Sequence, residues 1–155
     1  MSIPIRADLV AYQHISAIAT RMYVGDLEAA AWALAQPEWS VVSVLEGASS
    51  FSYMGEHRAH LPFVLHKQAQ PGLLNRAVAW VEIEIARQRP VLIHCAAGIE
   101  RSPLVAAWLL ARRLSFEPPL TALRMAYGVV KRRRPMIEDR TVWLPKDWEK
   151  WFARR

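Results

Sequence analysis

Apolar positions along this 155-residue chain come in two kinds, short solid runs and stripes at helical spacing. Val41-Val42-Ser43-Val44-Leu45 and Val91-Leu92-Ile93 are runs of the length a buried strand takes. Residues 20–24 and 59–65 are also strand-like. Leu74, Val78, Val81 and Ile85 recur every three or four positions, so Pro71 opens a helix running to about residue 88. Asp26 is placed to cap a helix over 27–35 that must stop before Pro37. Residues 46–56, rich in Gly, Ser and polar side chains, read as a loop. Ser102 and Pro103 supply a cap-and-proline start for an almost wholly apolar helix continuing through Leu114, which predicts a buried central helix. Two further helices follow, at about 119–133 and 146–153. Strands alternating with helices predict an α/β fold, a central and mostly parallel sheet flanked by helices on both faces. No repeat, low-complexity segment or linker interrupts the pattern, so residues 1–155 read as one domain with its core at about 16–152.

Composition narrows the class. Hydrophobic residues make up 53% of the chain and seven are tryptophan, enough for a substantial core and against disorder. No apolar run approaches the ~20 residues that span a bilayer, and no signal peptide is evident at the amino terminus. A single cysteine excludes an intrachain disulfide, and a reactive thiol needs reducing surroundings, so the expected location is the cytoplasm. The formal net charge of +6 draws anionic partners. Its strongest run, Lys131-Arg132-Arg133-Arg134, closes a helical pattern, where cations offset the negative helix end. A nucleic-acid face would interleave such residues with aromatics, so nucleic acid is disfavoured.

The candidate chemistry gathers in His94-Cys95-Ala96-Ala97-Gly98-Ile99-Glu100-Arg101-Ser102-Pro103. A predicted strand enters this segment and a predicted helix leaves it, so successive backbone N–H groups converge on one point and form an anion site. The same groups favour a thiolate at Cys95. A cation at the start of a helix is unfavourable unless an anion sits beside it, and Arg101 is placed to grip a phosphate by two parallel hydrogen bonds. Gly98 permits a backbone conformation or a close phosphate approach that a Cβ would hinder. A nucleophile, a cradle formed by the backbone of Ala96, Ala97, Gly98, Ile99, Glu100 and Arg101, and a bidentate clamp together read as phosphoryl transfer through a phosphocysteine.

The Cys-x5-Arg-Ser spacing resembles the signature of the cysteine-dependent protein tyrosine phosphatases, and the rest of the chain resembles their dual-specificity subfamily. Residues 18–26 are similar to its opening strand and turn, and 40–45 to its second strand. Leu61-Pro62-Phe63 is similar to its approach to the acid loop, and Arg134-Pro135-Met136-Ile137-Glu138-Asp139 to its Arg-Pro-x-Ile turn. The resemblance implies a phosphatase fold with the phosphate loop between a strand and a buried helix. It implies hydrolysis of phosphotyrosine, phosphoserine and phosphothreonine in phosphorylated protein substrates, with no metal, no cofactor and no membrane. Within it, Ser102 stabilises the leaving thiolate, and His94 orients the loop.

One departure concerns the general acid, a group worth roughly 10²–10⁴-fold in rate. The subfamily carries an aspartate about thirty residues before the cysteine. Here the segment reads Val64-Leu65-His66-Lys67, and no aspartate stands between Asp26 and Asp139. Asp139 is the first candidate, because it falls where the family's turn places a residue near the site. Glu100 is the alternative, like the aspartate of the myotubularin loop, and His66 lies nearest in register. Two further classes stay open: a phosphoresidue-binding module with little catalysis, which would not need the thiol, and an RNA 5′-triphosphatase-like enzyme, whose loop usually carries His and Asn where Ala97 and Glu100 stand.

Overall fold

Alternate residues of the short central strands point to opposite sides of one sheet, and each side is covered differently. The computed structural model describes residues 13–47, 53–62, 70–115 and 117–152. Its elements are β1 (Ile15–Ala19), β2 (Met22–Gly25), α1 (Leu27–Leu34), β3 (Ser40–Ser43), β4 (Arg58–His60), α2 (Pro71–Ala86), β5 (Val91–His94), α3 (Arg101–Arg113), α4 (Pro119–Arg133) and α5 (Glu149–Phe152), with a 3₁₀ turn at Thr141–Trp143 before α5. The sheet order is β1-β2-β5-β3-β4. Only the β1–β2 hairpin is antiparallel; β5 runs parallel to both β2 and β3, and β3 parallel to β4. The chain is therefore α/β with a mostly parallel sheet, and β5 is its central strand.

Val41 and Leu92 join Ala29, Ala30 and Ala33 of α1 on one face. Val42, Val91 and Ile93 join the larger cluster on the other, with α2, α3, α4 and α5. The apolar pattern of α3 is explained by its position: Leu104, Val105, Ala106, Ala107, Trp108 and Ala111 are all inaccessible. Each such Leu or Val contributes about 1.5–3 kcal/mol relative to exposure. Trp108 also donates from Nε1 to Asn75 Oδ1 at 2.9 Å, and Asn75 Nδ2 donates to Trp151 O at 3.0 Å. One amide thus joins α2, α3 and α5.

The expected helices are present, with ends displaced by zero to three residues. Asp26 caps α1 as expected, its Oδ1 accepting from Ala29 N at 3.0 Å. Three expectations need correction. The opening strand is a hairpin, because Arg21 takes a positive φ of 60° and reverses the chain between β1 and β2. Ser102 does not cap α3, which begins at Arg101 with no side-chain cap. The serine lies inside the first turn, and its hydroxyl points elsewhere. The strand expected over 59–65 ends at His60, and 63–69 lie outside the described residues.

Candidate active site

β5 delivers His94 at its carboxyl end, and the chain turns through residues 95–100 before α3 begins. Each carbonyl of this turn has a partner. Cys95 O lies 3.3 Å from His94 Nδ1. Ala96 O accepts from Leu27 N at 3.1 Å, Ile99 O from Glu138 N at 2.9 Å, and Glu100 O from Leu104 N at 3.3 Å. Gly98 O accepts from Arg134 Nε at 2.7 Å, and Ala97 O from Arg134 Nη2 at 3.2 Å. In a planar trans peptide the C=O and the next N–H point opposite ways. Fixing these six carbonyls therefore turns the amides of Ala96, Ala97, Gly98, Ile99, Glu100 and Arg101 away from those partners, as an anion cradle requires.

Arg134 holds this arrangement together. It is completely buried, and it also donates to Ser16 Oγ at 3.0 Å and Gln13 O at 2.9 Å. Burial lowers its pKa, against the opposing pull of Asp26 and Cys95. The basic run is thus not uniformly a solvated helix end. Lys131, Arg132 and Arg133 are exposed on the last turn of α4, whereas Arg134 turns inward. Pro135 is the cause, since the residue before a proline is pushed out of helical geometry, and Arg134 has φ −137° and ψ 82°. Gly98 is needed twice over. Its φ is +68°, and a Cβ there would lie 2.7 Å from Arg134 Nη2 and 2.8 Å from the backbone of Gly25. The close approach is to β2 and the arginine behind the loop.

Cys95 is 4% exposed and Ser102 is inaccessible; their Sγ and Oγ atoms lie 3.2 Å apart. The hydroxyl expected at the helix cap is thus beside the sulfur. Arg101, in the first turn of α3, has its Nη1 buried without a hydrogen-bond partner. A buried charged donor left unpaired is costly, more than the ~1–3 kcal/mol of a neutral one, and an anion would relieve it. Among the described residues, the other buried side-chain groups without a partner are the neutral indole N–H groups of Trp32 and Trp39.

His94 is inaccessible, and burial drives its pKa down to about 4. The neutral ring must donate from Nδ1 to Cys95 O, since a carbonyl only accepts. Its Nε2 then accepts from the hydroxyl of Tyr53, a buried residue whose ring stacks on both His94 and His60. Burial likewise raises the Tyr53 pKa, consistent with a hydroxyl that keeps its proton and donates. Tyr53 escaped the sequence reading, and Arg134 entered it only as part of the basic run and of the Arg-Pro-x-Ile turn, with no role at the loop. Arg134 carried one local signal, its place before a proline.

The candidate acids are arranged differently from one another. Glu100 Oε2 accepts from Arg140 Nε at 2.9 Å. Asp139 is exposed, and its Oδ1 accepts from Thr141 N at 2.8 Å and Thr141 Oγ1 at 2.6 Å. Glu138 N on Ile99 O keeps this segment against the loop. His66 lies outside the described residues. Among the described residues, no group of three His, Cys, Asp or Glu is gathered to hold a metal, and no helix is long and apolar enough to cross a membrane.

The sequence pattern of the dual specificity phosphatase catalytic domain matches residues 41–144. No curated protein matches the chain. Among solved structures, human DUSP28 is similar with a TM-score of 0.69 at 19% identity, over 89% of this chain and 91% of that one. A mouse putative dual specificity phosphatase complexed with zinc tungstate gives 0.68 at 18%, over 97% and 92%. PTPMT1 in complex with PI(5)P gives 0.65 at 14%, over 89% and 91%. At these identities the structures establish a shared fold, and the domain match over more than half of the chain establishes descent. The chain belongs to the dual specificity phosphatase family and carries that family's phosphatase catalytic domain.

Proposed function

We propose that the protein hydrolyses phosphotyrosine, and also phosphoserine and phosphothreonine, in phosphorylated proteins through a phosphocysteine. Cys95 attacks phosphorus while Arg101 and the amides of residues 96–101 hold the equatorial oxygens. The alkoxide or phenolate leaves with a proton, and water then cleaves the S–P bond, with the Ser102 hydroxyl stabilising the departing thiolate. The observation that carries this reading is the partnerless, buried Arg101 Nη1 beside a loop whose carbonyls are all tied back. Asp139 is the first candidate for the proton. Its Oδ1 is occupied by two donors from Thr141, and the side chain remains exposed. Glu100, engaged by a guanidinium, is acting as an acceptor and ranks second.

Hydrolysis of a chromogenic aryl phosphate by wild type and Cys95→Ser, with EDTA present, tests the reading. The expected result is turnover by wild type alone, unaffected by the chelator. Activity retained in the serine variant, or lost with EDTA, contradicts it. If neither protein turns over substrate but both bind a phosphopeptide, the phosphoresidue-binding module replaces it. Comparing Asp139→Asn and Glu100→Gln on aryl and alkyl phosphates identifies the acid, because its loss penalises the poorer leaving group more.

A further inference from the structure

Glu100 stands one residue before the phosphate clamp, where its carboxylate repels an approaching dianion. The neighbouring segment supplies a counter-charge. Arg140 reaches Glu100 Oε2 with Nε at 2.9 Å and Nη2 at 2.8 Å, and Nη2 also binds Glu138. Its guanidinium lies 5.2 Å from the centroid of the Trp143 ring, a cation–π contact. Its backbone N donates to the hydroxyl of the buried Tyr127 at 3.2 Å. Two carboxylates and an aromatic ring thus hold the guanidinium, and a backbone bond holds the residue, against the lip of the loop. With Arg140 in place the charges of Glu100, Arg101, Glu138 and Arg140 cancel; without it they sum to one negative charge.

We propose, resting on the phosphatase reading, that Arg140 is a positioning residue for anion binding: it neutralises Glu100 and engages its carboxylate from the 138–140 side. Glu100 and Arg140 then act as one unit, and removing either alone changes how the loop receives a phosphate. A purely structural clip would behave differently, because cutting it from either end would do the same damage.

Calorimetric titration with tungstate, a tetrahedral oxyanion, distinguishes the two. The proteins are wild type, Arg140→Gln, Glu100→Gln, the double variant and Arg140→Lys. Arg140→Gln is expected to weaken tungstate binding about tenfold, and Glu100→Gln to strengthen it several-fold. The double variant should return to within about threefold of wild type, Arg140→Lys should recover part of the loss, and 0.5 M salt should shrink every difference (about a 4 Å screening length). Where turnover is measurable, Arg140→Gln should raise KM more than it lowers kcat. Equal weakening in Arg140→Gln and in the double variant overturns the proposal, as does unchanged binding in Arg140→Gln. Tungstate reads the cradle whether or not the protein turns over, so an inactive wild type that still shows this cycle would sink the phosphatase reading and leave the role of Arg140 standing.

Discussion

At the amino ends of β3 and β5 the buried carboxylate of Glu84 lies among Ser40, His57, Arg87 and Arg89; at the carboxyl end of β5, Cys95 lies among His94, Ser102 and the turn leading to Arg101. Both are polar clusters in the interior, and they are finished differently. Glu84 is 1% exposed. Its Oε1 accepts from Ser40 Oγ at 2.8 Å and pairs with His57 Nδ1 at 2.6 Å, and its Oε2 accepts from Arg87 Nη1 at 2.9 Å. Arg89 donates to Ser40 Oγ at 2.8 Å and to the carbonyls of Pro37 and Trp39. Burial alone would raise the Glu84 pKa, but the bonds from His57 and Ser40 outweigh it and hold the group below the usual carboxylate range. The carboxylate sits between serine and histidine, so the histidine cannot activate the hydroxyl as a hydrolytic triad would. In the Cys95 cluster the carbonyls of residues 95–100 have partners and Cys95 Sγ has Ser102 Oγ, while the buried Arg101 Nη1 has none. A buried polar cluster that satisfies itself holds a fold together; one that leaves a buried guanidinium N–H unpaired is suited to an anion.

The largest effect should come from opening the contrast at the clamp. Arg101→Ala is expected to lower kcat/KM by ~10³-fold or more while leaving the thermal midpoint close to wild type, since it removes an unpaired buried donor. Steady-state kinetics beside calorimetry checks both halves. Glu84→Gln should do the reverse. Breaking a buried ion pair costs about 3–5 kcal/mol of stability, measured by denaturant titration, and kcat/KM should fall less than tenfold where the protein remains folded. If Glu84→Gln spares stability and removes activity, the distinction between the clusters fails.

A third effect is pH-dependent. The folded pKa of His94, about 4, lies below the 6.5 of an ordinary histidine. The unfolded chain therefore binds the extra proton first. The stability this group contributes is fully present above pH 6.5 and is lost as pH falls from there to about 4, a total on the order of 3 kcal/mol. Stability curves for wild type and His94→Gln should diverge least at pH 4 and most above pH 6.5. Parallel curves would mean that His94 is not buried neutral. The smallest effect is expected for Tyr53→Phe, which strips the donor from His94 Nε2. It should cost about 1 kcal/mol and lower the rate several-fold by loosening the hold of Nδ1 on Cys95 O. No change in either would remove Tyr53 from the support of the cradle.

The parts of this site that were legible in the sequence are those whose chemistry is local. Cys95, Gly98 and Arg101 sit within seven residues on a predicted strand-turn-helix, and the helical stripe of 74, 78, 81 and 85 placed α2. The supports were not legible, because they arrive from far along the chain. Arg134 reaches the carbonyls of residues 97 and 98 from 37 and 36 positions away, and Tyr53 reaches His94 from 41. Hydrophobic periodicity carries no information about such pairs. Ser102 was read two ways, as a helix cap from local sequence and as a partner of the thiolate from the resemblance, and only the first reading failed. A serine beside a proline at a helix start fits a cap, and only the tertiary position of Cys95 redirects its hydroxyl inward. Arg134 belongs both to a run of cations whose other members face solvent and to the Arg-Pro-x-Ile turn, and neither pattern says that its side chain turns inward to the loop.

If the proposed mechanism holds, Cys95 is the covalent acceptor of phosphate. Rapid acid quenching of wild type with an aryl phosphate, followed by mass spectrometry of the peptide containing Cys95, tests it directly. A phosphoryl adduct on Cys95 is expected to appear before steady state and to be absent in Cys95→Ser. Turnover with no adduct on Cys95, or with the phosphoryl group on another residue, would contradict it.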